Sequence, residues 1–286
     1  MIVVTGATGA LNGATVDHLL TRVPAAELVV AVRDPARATR FADAGVTVRR
    51  ADYAEPASLP AAFAEADQLL LVSASDPRAD AVALHRTAID AAVAADVGRI
   101  LYTSHQGAAL DTPFGPGRDH ARTEELLEAS GVPWTSLRNG FYAHSLGWLV
   151  GPWRERGVIE VPVDGPVSWT AREDEAEAAA VIIASDGAYE GPTTLTASAA
   201  PTFAEVADLA AEVLGRPVER VVVGPEAWLA AQVAAGQPEG MARFTLGMFE
   251  AAQQGFFAGT DPLLRTLLGR EPRTVHDALQ APAPHR

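Results

Sequence analysis

The first twenty residues predict a strand, a glycine-rich turn and a helix, in that order. Ile2 to Val4 form a short β-branched run, and Thr5-Gly6-Ala7-Thr8-Gly9-Ala10-Leu11 follows it directly. A turn of this kind lets backbone N–H groups approach a pyrophosphate, and the helix N terminus favours its negative charge. Gly6 suits the tight turn, and Gly9 has no Cβ to keep phosphates away. A plain strand-to-helix turn is the alternative, and the strand and helix on either side favour the dinucleotide interpretation.

The third position of a Gly-x-x-Gly-x-x-Gly spacing is not glycine in this chain. Asn12 occupies it, and Gly13 stands beside it. The third glycine normally permits close packing of the helix against the strand. Which of the two residues makes that contact is therefore open at this point.

Strands and helices continue to alternate as far as residue 142. Buried parallel strands are nearly continuous apolar runs, and the stretches 27–32 and 67–74 have this composition. The pattern predicts an α/β fold, a Rossmann-type doubly wound parallel sheet. The predicted strands lie at 2–4, 27–32, 46–52, 67–74, 99–104 and 134–137, with a helix between each pair.

The second half of the chain is less regular. It predicts strands at 158–163, 194–197 and 219–223, and helices at 172–184, 203–214, 227–257 and 261–268, with a break near Pro238. We interpret residues 1–150 as the dinucleotide-binding domain. Residues 151–286 are expected to form a smaller C-terminal substrate lobe, partly interleaved with the edge of the sheet.

The end of the second predicted strand is where such folds choose between cofactors. An acidic residue there binds the ribose 2′-hydroxyl, whereas an arginine accommodates a 2′-phosphate. Arg33 follows the apolar run, and Arg37 lies one helical turn further on. Asp34 could face the ribose, but its place before Pro35 favours a helix cap. Arg33 therefore predicts NADP(H), against the alternative of a solvated loop charge.

Composition excludes several kinds of chemistry. The chain has no cysteine and no lysine, which removes disulfides, thiolate nucleophiles, Schiff bases and the Tyr-x-x-x-Lys pair of ordinary short-chain dehydrogenases. A formal net charge of −14 argues against binding to nucleic acid or to an anionic membrane. We find no apolar stretch long enough to span a bilayer and no leader pattern, so a cytoplasmic protein is expected.

Several short segments together resemble a known family. They are Thr5-Gly6-Ala7-Thr8-Gly9, Val32-Arg33-Asp34-Pro35, Tyr102-Thr103-Ser104, His120-Ala121-Arg122-Thr123-Glu124 and Leu137-Arg138-Asn139-Gly140. The chain is similar to the NmrA-like atypical short-chain dehydrogenase/reductases. Within that family it most resembles type 2 NADPH:quinone oxidoreductases and triphenylmethane reductases.

The resemblance implies an NADP(H)-binding sheet, a small C-terminal lobe and a cleft between them. It implies a phosphate loop from Gly6 through Thr8, Gly9 and Ala10 to Leu11, with Arg33 at the 2′-phosphate and Ser73 and Thr103 lining the cofactor. It places His120, Asn139 and Tyr142 against the nicotinamide and the acceptor. A small conjugated molecule is the expected acceptor, and a homodimer is compatible with the family.

His120 is the best titratable candidate, and Glu124 follows it by one helical turn and could orient it. A surface His–Glu pair is the alternative. Asn139 could hydrogen-bond a carboxamide or be a turn residue before Gly140. Ser104 stands where a catalytic serine is expected, or makes a strand-end hydrogen bond. The seven histidines are scattered and predict no metal site.

Two functions are compatible with these residues. The first is an NADPH-dependent oxidoreductase that transfers hydride to a quinone or a similar conjugated acceptor. The second is a catalytically silent NADP(H)-sensing regulator. A reductase oxidises NADPH when an acceptor is added, whereas a sensor binds it without turnover.

Overall fold

The computed structural model of the protein describes residues 1–74 and 79–281. A seven-stranded sheet is formed mainly by the first half of the chain. The apolar side chains of its central strands are buried. The strands of this sheet are β1 (Ile2–Thr5), β2 (Leu28–Val32), β3 (Thr47–Arg50), β4 (Gln68–Leu71), β5 (Arg99–His105), β6 (Trp134–Asn139) and β10 (Gly191–Leu195). The remaining strands are β7 (Phe141–Tyr142), β8 (Val158–Val161), β9 (Trp169–Thr170) and β11 (Glu219–Val222).

The strand order is β10-β6-β5-β4-β1-β2-β3. β1 pairs in parallel with both β2 and β4, and the pairs β2–β3 and β4–β5 are parallel as well. The chain thus winds outward in both directions from β1, which confirms the predicted doubly wound sheet. In such sheets ligands bind beyond the carboxyl ends of the strands where the winding reverses. Here that point is the end of β1, where the glycine turn begins.

Helices connect the strands as predicted. They are α1 (Ala10–Leu19), α2 (Thr39–Asp43), α3 (Leu59–Phe63), α4 (Ala81–Ala94), α5 (Gly115–Ala129), α6 (Leu146–Leu149), α7 (Trp153–Arg156), α8 (Arg172–Ala184), α9 (Phe203–Leu214), α10 (Pro225–Ala234), α11 (Glu239–Gln253), α12 (Leu263–Leu268) and α13 (Val275–Gln280). Over the part of the chain that is described, none of them is both long and apolar enough to cross a membrane.

The chain forms two compact units, each assembled from three segments. The first contains residues 1–105, 119–138 and 175–193, and the second contains 106–118, 139–174 and 194–286. Aliphatic residues of β1, β2, β4 and β5 dominate a core of the first unit, together with Phe63 and Tyr102. The core of the second unit is richer in aromatic rings, including Trp169, Phe203 and Phe249. The predicted division into residues 1–150 and 151–286 stays a prediction.

Candidate functional site

The turn after β1 has a backbone that only glycine adopts easily at its first position. Gly6 has φ +63°, in the left-handed region. A Cβ on Gly6 would also lie 2.6 Å from Val72 Cγ1, which is closer than two carbon atoms can approach. Thr5, at the end of β1, is joined to the residue that follows β4, because its Oγ1 accepts a hydrogen bond from Val72 N at 2.8 Å. The carboxyl end of β4 is thereby held against the turn.

The N terminus of α1 is open to a ligand. Gly9 is its N-cap residue, no side chain caps the helix, and its first turn carries no acidic residue. The first N–H groups of any α-helix lack partners within the helix. Gly9 is exposed, and a Cβ there would lie 3.2 Å from the carbonyl oxygen of Gly6, at the mouth of the turn. These features fit the pyrophosphate of a dinucleotide, which would accept hydrogen bonds from the helix start.

Asn12 and Gly13 together take the place of the third glycine of the usual spacing. Asn12 is buried, and its Nδ2 donates to the carbonyl oxygen of Thr5 at 2.8 Å. A Cβ on Gly13 would lie 2.8 Å from the carbonyl oxygen of Ala7. The close approach of helix and turn therefore depends on Gly13, and Asn12 ties α1 to the end of β1. The departure from the usual spacing leaves the turn intact.

A cavity of about 400 Å³ adjoins the turn within the first unit. Its lining includes Thr8, Gly9 and Gly13 from the turn and α1, together with Arg37 and Arg40. Arg40 Nη1 forms an ion pair with Asp17 at 2.7 Å. The cavity therefore combines open backbone at a helix N terminus with two guanidinium groups, which suits a phosphate-bearing ligand.

Arg33 lies at the end of β2, as predicted, and is exposed. Asp34 caps the following 3₁₀-helix, because its side chain accepts a hydrogen bond from Ala36 N at 3.1 Å. Asp34 is therefore engaged as a cap, as the sequence favoured. The assignment of Arg33 to a 2′-phosphate stays a prediction, and Arg37 is the neighbouring arginine that reaches the cavity wall.

Ser73 and Thr103 lie at the ends of the adjacent strands β4 and β5. Thr103 Oγ1 accepts a hydrogen bond from Ser73 N at 2.8 Å. The two predicted cofactor-lining residues are therefore in contact with each other, at the same edge of the sheet as Gly6. Their backbone is fixed relative to the turn because Val72 is bonded to Thr5.

His120 is held by a tyrosine rather than by the carboxylate that the sequence suggested. Tyr102 Oη lies 2.8 Å from His120 Nδ1, and burial lowers the pKa of His120 well below its ordinary value. Glu124 instead accepts hydrogen bonds from Ser104 Oγ at 2.8 Å, Ser136 Oγ at 2.6 Å and Arg138 Nε at 3.0 Å. The expected His120–Glu124 pair is therefore wrong, because the buried carboxylate faces strands β5 and β6. Ser104 makes the strand-end hydrogen bond that was its structural alternative.

Asn139 and Tyr142 belong to the second unit, whereas His120 belongs to the first. Asn139 is buried, and its Oδ1 has no hydrogen-bond partner among the described residues. A buried amide oxygen of this kind can accept from a carboxamide N–H. Tyr142 stacks on His144 with ring centroids 5.5 Å apart, and the guanidinium of Arg172 lies 5.9 Å from the Tyr142 ring centroid.

Sequence reasoning missed three residues near these groups. Tyr102 belongs to one of the segments that carry the resemblance but was assigned no role, yet it is the hydrogen-bond partner of His120. Arg40 and Asp17 line the cavity beside the turn but carry no local motif. Arg40 follows Arg37 by one helical turn, and Asp17 follows Gly13 by one helical turn. This spacing is the only signal in the sequence that could have indicated them.

Comparison with known proteins gives consistent results. A family profile described as NAD(P)H-binding matches residues 6–147. Quinone oxidoreductase 2 of Escherichia coli is 35% identical over 281 residues, which cover 98% of this chain and 97% of that protein. An NAD(P)H azoreductase of Xenophilus azovorans is 31% identical over 286 residues, covering 99% and 98% of the two chains.

Solved structures agree with these sequence matches. An NADPH-dependent quinone oxidoreductase of Escherichia coli, crystallised with NADPH, superposes with a TM-score of 0.90 at 33% identity and covers 98% of each chain. The Citrobacter sp. triphenylmethane reductase complexed with NADP(H) gives a TM-score of 0.86 at 32% identity and covers 98% of this chain and 99% of that one. The likeness extends over the whole length of the chain.

Proposed function

Because the chain belongs to the NmrA-like family of NAD(P)H-binding proteins, we propose that it is an NADPH-dependent oxidoreductase. It transfers hydride to a quinone or to a similar conjugated acceptor. The single observation that carries the proposal is the turn after β1. There, Gly6 in a left-handed conformation and the uncapped start of α1 form a cradle for a pyrophosphate.

We assign the cofactor to the carboxyl edge of the sheet around this turn. The backbone from Gly6 to Leu11 would hold the pyrophosphate, and Arg33 would meet the 2′-phosphate through a charge-assisted hydrogen bond. Support for this comes from the exposure of Arg33 and the open helix start. The residues assigned to the cofactor are Gly6, Thr8, Gly9, Ala10, Leu11, Arg33, Ser73 and Thr103.

Bound NADPH supplies a hydride, and the remaining chemistry depends on how the acceptor carries the resulting charge. A simple aldehyde becomes a localised alkoxide, which needs a positioned acid or a strong oxyanion site. The chain has no Tyr–Lys pair because it has no lysine. A quinone becomes an anion delocalised over its ring, and a cationic triarylmethane dye becomes neutral. Acceptors of these two kinds need the least help from an acid.

We assign the acceptor-facing roles to His120, Asn139 and Tyr142. Burial keeps His120 neutral, because it lowers the pKa far below the usual value. A neutral imidazole orients an acceptor through a hydrogen bond but is a poor general acid. The buried Oδ1 of Asn139 supports a role in binding the nicotinamide carboxamide.

The test is a screen of NADPH oxidation with quinones, triarylmethane dyes, enones and simple aldehydes as added acceptors. We expect turnover with quinones or such dyes and little with unconjugated aldehydes. The variant His120→Ala should lower quinone turnover by less than the roughly 10²–10⁴-fold typical of a lost general acid. Efficient aldehyde reduction that His120→Ala abolishes would show that His120 replaces the missing tyrosine acid.

The regulatory alternative has less support, since the relatives compared above are named as oxidoreductases or reductases. A sensor would bind NADPH with ordinary affinity and oxidise it with none of the acceptors. Calorimetry with NADPH beside the acceptor screen separates the two functions.

Four further expectations complete the proposal. The protein works on a small-molecule acceptor in the cytoplasm, does not bind nucleic acid, and is compatible with a homodimer. Light scattering coupled to size-exclusion chromatography determines the oligomeric state, and a gel-shift assay with duplex DNA tests for binding to nucleic acid.

A further inference from the structure

Four titratable rings contact one another inside the first unit. His85 and Tyr102 have ring centroids 5.3 Å apart, Tyr102 and His120 5.7 Å, and His120 and His105 6.2 Å, with the last pair nearly parallel. We call these four residues the Tyr102–histidine cluster. The Glu124 carboxylate acts on Tyr102 electrostatically, and it is ion-paired with Arg138. Every histidine in the cluster has a pKa lowered chiefly by burial.

The partners of His85 determine where its hydrogen lies. Its Nε2 accepts a hydrogen bond from Ala74 N at 2.7 Å, so Nε2 bears the lone pair. Its Nδ1 must then bear the hydrogen, which it donates to Thr123 Oγ1 at 2.8 Å. Thr123 in turn donates its own hydrogen to the carbonyl oxygen of Asp119 at 2.7 Å. His85 is thus neutral, and each hydrogen along this path is accounted for.

The Tyr102 hydroxyl has one strong candidate for its hydrogen. Tyr102 is fully buried, and the hydrogen bond of its Oη joins His120 Nδ1 at 2.8 Å. A buried hydroxyl hydrogen left without an acceptor is costly. Thr123 Oγ1 already accepts the hydrogen of His85, and the side-chain hydrogen bond made by Tyr102 Oη at 2.8 Å is the one to His120 Nδ1. We therefore assign the lone pair of His120 Nδ1 as the acceptor for the hydrogen of Tyr102.

A further group acts on the Tyr102 oxygen. Side-chain hydrogen bonding by Ser73 lowers the pKa of Tyr102, but burial is the larger effect and raises that pKa strongly. Ser73 can stabilise the phenolate as a hydroxyl donor. Thr123 cannot, because its one hydrogen goes to the carbonyl oxygen of Asp119. The 2.8 Å hydrogen bond to His120 Nδ1 takes the hydrogen of Tyr102, and the net rise in pKa keeps Tyr102 protonated.

We propose that Tyr102 is a positioning residue that holds His120 as the neutral tautomer with its hydrogen on Nε2. His120 then offers an N–H donor at its second nitrogen. The role of this N–H rests on the proposed function. It donates a hydrogen bond to the oxygen or nitrogen of a conjugated acceptor while hydride arrives and negative charge develops on that atom. His120 keeps its hydrogen, since losing it would require Tyr102 to become a buried anion. The reduced acceptor takes its proton from water after it leaves.

The tautomer can be measured without any acceptor. Long-range ¹H–¹⁵N correlation spectra of the ¹⁵N-histidine-labelled protein distinguish a pyrrole-type nitrogen, which bears hydrogen, from a pyridine-type one. His120 is assigned as the signal that a His120→Gln variant loses. We expect a pyrrole-type Nε2 and a pyridine-type Nδ1 in the wild-type protein at neutral pH. A hydrogen on Nδ1, or a charged ring, would overturn the proposal.

Variants then test whether Tyr102 is the cause. Tyr102→Phe should change the His120 signals toward a mixture of tautomers and lower kcat with a quinone by about two- to thirteen-fold, the value of one hydrogen bond. KM for NADPH should not change. Tyr53→Phe is the matched control, because Tyr53 is a partly buried phenol whose hydroxyl bonds to Thr5 Oγ1 at 2.7 Å and to the carbonyl oxygen of Val72 rather than to His120. The His120 signals should be unaffected by it.

The outcomes separate this inference from the function on which it rests. Unchanged His120 signals in a folded Tyr102→Phe variant would overturn the role of Tyr102. A wild-type protein with the expected tautomer that turns over no acceptor would overturn the proposed function and leave the tautomer assignment standing. If Tyr102→Phe does not fold, the wild-type spectrum alone still decides the position of the hydrogen.

Discussion

Arg138 binds Glu124 through two nitrogens: its Nε donates to Oε1 at 3.0 Å and its Nη2 donates to Oε2 at 2.5 Å. Glu124 is almost wholly buried, with 8% of its side chain exposed, and it also accepts from Ser104 and Ser136. A carboxylate from α5 thus joins the ends of β5 and β6. Removing it leaves a guanidinium and two hydroxyls without their partner.

The first prediction concerns this carboxylate. Glu124→Ala should lower the free energy of unfolding by roughly 3–5 kcal/mol, the usual loss when one member of a buried ion pair is removed. The matched control is Glu239→Ala, because Glu239 pairs with Arg243 on the surface of α11 with both side chains more than half exposed. That change should cost about 0.5 kcal/mol or less. Urea unfolding measures both, and equal losses would contradict the structural role of Glu124.

The second prediction concerns Gly9. Gly9→Val places a branched side chain at the exposed N-cap of α1, where φ is −86° and a valine backbone is unstrained. The fold should survive, while NADPH binding measured by calorimetry should be lost, because the new Cβ occupies the approach of the pyrophosphate. Gly240→Val, at an exposed position with nothing within 4 Å of the added Cβ, should bind NADPH normally. Unchanged affinity in a folded Gly9→Val protein would place the phosphate site elsewhere.

The third prediction concerns cofactor preference. Arg33→Ala should weaken NADPH binding by about 10- to 100-fold, the contribution of a charge-assisted hydrogen bond, and leave NADH binding nearly unchanged. Arg50→Ala is the control, since Arg50 is an exposed arginine already paired with Glu55 at 2.8 Å. Arg37→Ala is measured beside them, because Arg37 lines the cavity next to the turn. If only Arg37→Ala loses the preference for NADPH, the 2′-phosphate is bound by Arg37 and not by Arg33.

The fourth prediction follows from the buried histidines. Burial lowers the pKa of His85 and of His105 to about 4, against about 6.5 in an unfolded chain. Between these values the unfolded chain binds more protons than the folded one, so stability falls as the pH decreases. The stability that depends on these neutral histidines is fully present above pH ~6.5. At pH ~5 each of the two histidines should lower the free energy of unfolding by about 2 kcal/mol.

Urea unfolding at pH 7 and at pH 5 measures this loss. The two values bracket the titration of histidine and stay above the range in which carboxylates such as Glu205 and Asp277, whose pKa values are lowered by their cap hydrogen bonds, take up protons. His85→Asn should reduce the difference between the two pH values. The same unfolding midpoint at pH 7 and pH 5 would show that these rings are not held neutral by burial.

The fold was predictable because its signals are local. Each central strand is an apolar run, each connection contains a helix, and the predicted bounds of α8 and α9 agree with the structure. The start of α5 was harder to predict, because the helix begins at Gly115 within a stretch rich in glycine and proline. Pro116 fits the first turn of a helix without losing a hydrogen bond. The helix α13 was missed, because six residues show no periodicity, although Thr274 and Asp277 form a capping box.

The roles assigned to the candidate-site residues stay predictions, but the local structure around them can be compared with the sequence. The glycine turn after β1 follows from its spacing together with the strand and helix on either side. By contrast, Tyr102 and His120 are 18 residues apart, and Glu124 and Arg138 are 14 apart. Only the placement of α5 against β5 and β6 brings such groups together. Helical spacing suggested His120 and Glu124 as partners. They do not pair, because the Glu124 carboxylate is buried against the sheet and bonds to residues of β5 and β6.

The hydrogen bonds at the two asparagines also bear on how the protein ages. Asn12 and Asn139 are the asparagines of this chain, and each precedes a glycine. Asparagine is thermolabile, and before glycine it deamidates when the next backbone nitrogen attacks its side-chain carbonyl. Here Gly13 N donates to the carbonyl oxygen of Gly9 at 2.9 Å, and Gly140 N donates to that of Leu195 at 2.8 Å. The folded chain thus shields both sites from spontaneous chemical damage, and any copy that stays unfolded would first lose the amides of Asn12 in α1 and Asn139 in β6.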